Sequence, residues 1–89
     1  MELNTKLSKI EIDVESGMVS LKFMKEVVNG NTIIFSEPHR VTMENSQNLD
    51  AIMVGVNNHL IDMGFPAAKA NDITFAKDIR SNYKQLKGK

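Results

Sequence analysis

The chain has 89 residues, with 11 basic and 11 acidic side chains, no formal net charge, 42% hydrophobic residues and no cysteine. Zero net charge removes the simplest argument for nucleic-acid binding and for an acidic mimic of DNA. The missing cysteines exclude a disulfide framework, a thiolate zinc site and a cysteine nucleophile.

So short a chain makes a single domain, 1–89, whose stability is modest or shared with partner subunits. No apolar run approaches the length of a membrane span, and Met1 to Lys6 lacks the continuous apolar stretch of a signal peptide. The expectation is a soluble protein, and a small domain without staples fits a cytoplasmic origin or an assembled particle.

The first element is a strand over about 8–15. Ile10, Ile12 and Val14 alternate with Glu11, Asp13 and Glu15, the period-2 pattern of a half-buried strand. Ser16-Gly17 offers a two-residue turn, which pairs Val14 with Val19, Ile12 with Leu21 and Ile10 with Phe23. The same register sets Glu11 opposite Lys22, an opposite-charge pair on the other face.

The second strand, about 18–28, carries Val19, Leu21, Phe23, Lys25 and Val27 on one face. Asn29-Gly30-Asn31 is a turn signal. Read as a three-residue loop, it pairs Val27 with Ile33 and Lys25 with Phe35. The third strand, about 32–43, then places Ile33, Phe35, Val41 and Met43 at alternating positions. Pro38 cannot donate to a ladder, so this strand is an edge or carries a bulge. An unbroken register also places Glu37 and His39 on the apolar face. Either a bulge near Ser36–Pro38 turns both outward, or that end of the sheet lies beyond the covering helix.

After the polar Asn45–Asn48 the period changes. Leu49, Ile52, Met53, Val56, Leu60 and Met63 form a helical stripe over about 48–63, with Asp50 in the first turn. Gly64, Phe65 and Pro66 predict a Schellman-type ending. The stripe should cover the apolar face of the meander. Ala67 to Ala70 suggest a short helical turn. A second helix over about 72–86 follows, with a narrow apolar line through Ile73, Ala76, Ile79, Tyr83 and Leu86 and a basic set in Lys77, Arg80, Lys84, Lys87 and Lys89. The fold class is α+β: a three-stranded antiparallel β-meander packed by one amphipathic helix, plus a C-terminal helix.

Few side chains suggest chemistry. Glu37 and His39 lie two apart on a strand and point the same way, with Arg40 beside them, but two ligands are fewer than a metal site needs. His59 and Asp62 form a solvated helix pair. With two histidines, no Ser-His-Asp spacing and no phosphate-binding loop, catalysis has no candidate team. No catalytic, cofactor or metal residues are assigned, and the chain is not expected to be an enzyme. The basic tail reads as a solvated helix face, which leaves nucleic acid an unlikely partner. The second face of the sheet, with Met18, Met24, Val28 and Ile34 among polar residues, is too apolar to stand free in solvent. Either the C-terminal helix or a partner protein covers it. Met18, Met24, Val28, Ile34 and Tyr83 are the candidate partner contacts.

The run from Ile10 to Leu60 resembles a diffuse group of small tailed-bacteriophage proteins encoded among virion and tail genes. The resemblance lies in the alternating first strand, Val19-Ser20-Leu21-Lys22-Phe23, the Asn29-Gly30 turn, the His39-Arg40 pair, the Asn48-Leu49-Asp50 helix start and Val54-Gly55-Val56-Asn57-Asn58-His59. The chain lacks that group's Pro-Gly before the helix and its aromatic near the helix middle. The resemblance implies a virion component, found in the particle or in the host cytoplasm before assembly, and no functional residues carry over from it.

Together these readings predict a non-enzymatic structural or adaptor protein of a bacteriophage tail or neck. It would act through protein–protein contacts, as a homo-oligomer or with other virion proteins. The alternative is a small phage-encoded inhibitor or adaptor that binds one host protein.

Overall fold

The computed structural model describes residues 1–44 and 46–87, the last four by backbone alone. Three strands, β1 (Glu2–Ile12), β2 (Met18–Asn29) and β3 (Thr32–Glu44), precede two helices, α1 (Leu49–Asp62) and α2 (Ala70–Lys87). The strands form one antiparallel sheet in the order β1-β2-β3. The α+β meander expected from the sequence is therefore present, with β1 starting and ending earlier than its alternation predicts.

That difference has a local cause. The Asp13 carboxylate accepts hydrogen bonds from the backbone N–H groups of Glu15 (2.9 Å) and Ser16 (3.2 Å), and Gly17 closes the loop onto the Asp13 carbonyl with φ +76°. An Asp side chain that organises its own turn competes with the strand ladder. The strand ends at Ile12, and Val14, 65% exposed, leaves the sheet.

The register consequently differs by two residues from the one predicted. Ile12 pairs with Val19, Ile10 with Leu21, and Glu11 with Ser20 instead of Lys22. A two-residue shift keeps every side chain on its face while changing all its neighbours, because the side-chain period is two.

A bulge at Ser8 then allows Leu7 to pair with Phe23 and Thr5 with Lys25. Since β2 runs on to Asn29, the short segment predicted before Ile10 extends back to Glu2, which pairs with Val28.

The second hairpin is tighter than the three-residue loop expected. Asn29 pairs with Thr32 across Gly30-Asn31, and Gly30 alone has positive φ (+62°), the φ pattern of a type II′ turn. The bulge in β3 falls at Ile34, between the pairs Val28–Ile33 and Val27–Phe35, and not at Ser36–Pro38. Glu37 and His39 therefore stay on the helix-facing side.

Asn48, the last residue of the polar run before the apolar stripe, caps α1 by accepting from Ala51 N–H at 3.1 Å. Phe65 N–H reaches the Leu60 carbonyl (2.9 Å) and Gly64 N–H the Ile61 carbonyl (2.9 Å), with Gly64 at φ +89°, completing the Schellman ending. The segment expected to form a helical turn after Pro66 is irregular, and Ala68 N–H donates to the Asn57 side chain at 2.9 Å.

One core forms where α1 and α2 meet the sheet. Val19, Leu21, Phe23 and Met43 pack with Leu49, Met53, Val56, Leu60, Ala68 and Ala76. Both helices lie on the same side, because Ala76 and Ile73 of α2 join the cluster that α1 closes. Asp72 at the start of α2 accepts the outward Leu7 N–H at 3.1 Å, fastening the helix to the β1 edge. Among the described residues nothing packs on the opposite face of the sheet, and α2 lies on the other side.

Candidate interaction surface

Strands outreach helices. At roughly 3.3 Å per residue a 12-residue strand such as β2 runs about 40 Å, whereas the 14 residues of α1 span about 21 Å. The molecule is accordingly elongated, 48 × 23 × 20 Å. α1 starts beside Met43 and its ending reaches Lys25 and Phe35, so the sheet past that point, with the β2–β3 turn, projects as a blade. We call this end distal and the Met43 end proximal.

The helix-facing side changes character along its length. Proximal rows are apolar: Ile12–Val19–Met43 and Ile10–Leu21–Val41, followed by Leu7–Phe23–His39. The next row, Thr5–Lys25–Glu37, is polar and nevertheless sealed at Thr5 and Lys25, which are 1% and 2% exposed. Each polar group there has a partner. Thr5 Oγ1 donates to the Pro66 carbonyl at 2.7 Å, and Lys25 Nζ contacts Glu37 Oε1 at 3.0 Å and Met63 Sδ at 3.4 Å. The ammonium also stands 6.0 Å from the Phe65 ring centroid.

Beside this layer His39 stacks on His59 of α1, with ring centroids 4.9 Å apart. Burial first, then the charges of His59 and Lys25, hold the His39 pKa below its ordinary value.

Beyond the polar layer the surface is apolar again but uncovered. Leu3, Val27 and Phe35 share the last helix-facing row, and Phe65 stacks on Phe35 at 6.4 Å. Val28 and Ile33 form the matching row on the open side, with Ile34 bulged between. Leu3, Ile33, Ile34 and Phe35 are 47%, 52%, 53% and 44% exposed. The blade thus exposes large apolar side chains on both sides, with Glu2 beside Val28 on the open one, which is what an unsatisfied contact surface looks like.

The predicted contacts distribute unevenly over this geometry. Val28 and Ile34 belong to the blade. Met18 and Met24 lie half-buried on the open face, Met18 opposite Glu44 and Met24 between Lys6 and Pro38, so they form no continuous apolar patch with it. Tyr83 stands apart on α2, where its hydroxyl donates to the Val14 carbonyl at 3.4 Å. Leu3, Ile33 and Phe35 were not nominated; Ile33 and Phe35 are instead predicted as core. The signal was present, since three consecutive apolar residues (Ile33-Ile34-Phe35) beside a turn must show apolar groups on both faces of a strand.

The chemical-looking clusters separate. Arg40 faces away from Glu37 and His39, and among the described residues no three His, Cys, Asp or Glu side chains are grouped to hold a metal ion. The basic set loses Arg80 from its solvated face but keeps the exposed Lys77. Arg80 is 6% exposed, turned inward onto the carbonyls of Glu44 (3.2 Å) and Gln47, and Lys77 pairs with Asp50 at 3.0 Å. The side chains of Lys84, Leu86, Lys87 and Lys89 lie outside the described residues. No described helix is long and apolar enough to cross a membrane.

Both sheet edges are guarded. Pro38 leaves a gap in the hydrogen-bonding edge of β3, while β1 has its bulge, its lysines and the Asp72 contact. Side-chain burial, more than strand addition, is the contact mode this shape favours. No family model, curated protein or solved structure matches this chain.

Proposed function

We propose that the chain is a non-enzymatic structural or adaptor protein acting through protein–protein contacts, as one of several copies in an assembly. The observation that carries this reading is the distal blade, where Leu3, Ile33, Ile34 and Phe35 gather at one end of an elongated molecule with large apolar side chains half exposed. A lone soluble domain gains nothing from holding such groups past the reach of its own helices, whereas a neighbouring subunit would bury them at about 25 cal/mol per Å². The setting, a bacteriophage tail or neck, rests on the resemblance of residues 10–60 to small tailed-phage proteins.

Light scattering over a concentration series tests the reading. The wild-type chain should show a discrete mass above that of the monomer, and Ile33→Asp/Ile34→Asp should reduce it to the monomer with an unchanged circular dichroism spectrum. A wild-type monomer at every concentration would remove self-assembly and bring forward the binding of a different protein, such as a host target.

A further inference from the structure

The open face of the sheet carries a row of like charges. Lys9, Lys22 and Arg40 stand directly opposite one another on β1, β2 and β3. With strands about 4.8 Å apart, the three Cα atoms fall within about 10 Å. Like charges facing each other across strands destabilise a sheet. Lys9 is offset by Glu11, with Nζ and Oε1 2.5 Å apart, and Lys6 in the next row is held by Glu26 at 3.4 Å. Among the described residues no carboxylate lies within ion-pair distance of Lys22 or Arg40.

The charges also converge on a cavity. Lys9, Glu11, Ser20, Lys22, Arg40 and Thr42 wall an open hollow of about 160 Å³. The hydroxyls of Ser20 and Thr42 lie 3.3 Å apart in the row beside the cations. The Glu11 carboxyl, at the rim, is held below its ordinary pKa by the hydrogen bond and charge of Lys9 and then by the charges of Arg40 and Lys22.

We propose that this hollow binds a phosphate monoester presented by a phosphorylated side chain of a partner protein. Two positive charges remain after Glu11 offsets Lys9, and a phosphate monoester brings about −1.5 to −2. Its three terminal oxygens match the donors available: the Arg40 fork, the Lys22 ammonium and the one hydroxyl hydrogen that the Ser20–Thr42 bond leaves free.

Size and surroundings select the carrier. Pockets for whole small molecules are roughly 300–1,000 Å³, so a hollow of about 160 Å³ encloses one anionic group and leaves its carrier outside. A nucleic-acid strand is disfavoured, because the unpaired cations do not continue along the strands: the next row distally holds only Lys6, already paired with Glu26, and the rows on the other side hold Glu11 and then Glu44. Among its described residues this face also has no aromatic ring to stack a base.

The inference rests on the reading of the chain as a partner-binding protein and gives that partner a chemistry. The test is an amide NMR titration at constant ionic strength, first with inorganic phosphate against acetate. The second arm uses a neutral peptide bearing one phosphoserine, its unphosphorylated counterpart and a single-stranded oligonucleotide.

Phosphate and phosphopeptide should give saturable shifts centred on Ser20, Lys22, Arg40 and Thr42. Lys22→Gln or Arg40→Gln should weaken them by about tenfold or more. Because each substitution relieves like-charge repulsion, both variants should unfold at an equal or higher temperature, which separates lost binding from lost structure. Equal response to acetate, equal binding of the unphosphorylated peptide, or tighter binding of the oligonucleotide would overturn the proposal. A wild-type chain that binds no phosphate but keeps its concentration-dependent mass would remove this site alone; one that binds phosphate but stays monomeric would remove the role of the blade alone.

Discussion

The two ends of the sheet's helix-facing side are built from similar residues and reach opposite outcomes. At the proximal end Val19, Leu21, Phe23 and Met43 are at most 2% exposed, because the stripe of α1 closes over them. At the distal end Leu3 and Phe35 are 47% and 44% exposed, although the strands there are equally apolar. The difference lies in what arrives from above. α1 reaches its Schellman ending near the row of Lys25, and past it only Phe65 covers the sheet. Apolar pattern in a strand thus reports a surface that wants cover, and the length of the helix decides whether the cover comes from the same chain.

The largest effect that would sharpen this contrast is a truncation at each end. Leu60→Ala removes a side chain with 0% exposure from the centre of the core and should cost about 2–5 kcal/mol in urea unfolding. Phe35→Ala at the blade, compared in the monomeric Ile33→Asp/Ile34→Asp background, should cost under about 1.5 kcal/mol, since the residue is 44% exposed in the single chain. Equal losses would mean that the blade is part of the core.

The polar layer between the two ends gives the next effect. Glu37→Gln leaves a fully enclosed ammonium without its carboxylate and should destabilise by roughly 1–3 kcal/mol, below the usual cost of a broken buried pair because Glu37 itself is half exposed. Lys25→Met removes the buried charge while Glu37 rehydrates, and should be neutral or stabilising in the same assay. If both variants lose stability alike, the layer contributes through packing and not through its charge.

The smallest effect is one of pH. His39 has a folded pKa below its ordinary value of 6.5, so the folded state binds its proton less readily than the unfolded chain does. The stability this represents is complete above about pH 6.5 and is lost as pH falls through the lowered folded value. Thermal unfolding in a series of buffers should show a midpoint falling on acidification in this window, and His39→Gln should flatten that slope. An unchanged slope in the variant would assign the acid sensitivity to other groups.

Much of this was legible in the residues, and what was missed has a common cause. Face assignments along β2, the stripe from Leu49 to Leu60 and the Gly64 ending are set within a few neighbouring residues by period and backbone preference. A local pattern can carry them whole. Cross-strand partners are different, because they depend on every residue that a turn or bulge inserts. The Asp13 carboxylate moved the first pairing by two, and the bulges at Ser8 and Ile34 each moved it by one.

Those displacements separated Glu11 from Lys22, lined up Lys9, Lys22 and Arg40, and left Glu37 under α1 as the partner of Lys25. Arg80 shows the same limit on a helix, where a charge that reads as solvated turned inward to carbonyls supplied by the end of β3 and the loop before α1. Residue pattern alone sets the five elements and the faces of β2 and α1, since these follow from side-chain period, whereas Val14 and Ile33 were misplaced by a turn and a bulge. Which charges met and which apolar groups stayed uncovered follows from distances that no single segment contains, and so emerged with the folded chain.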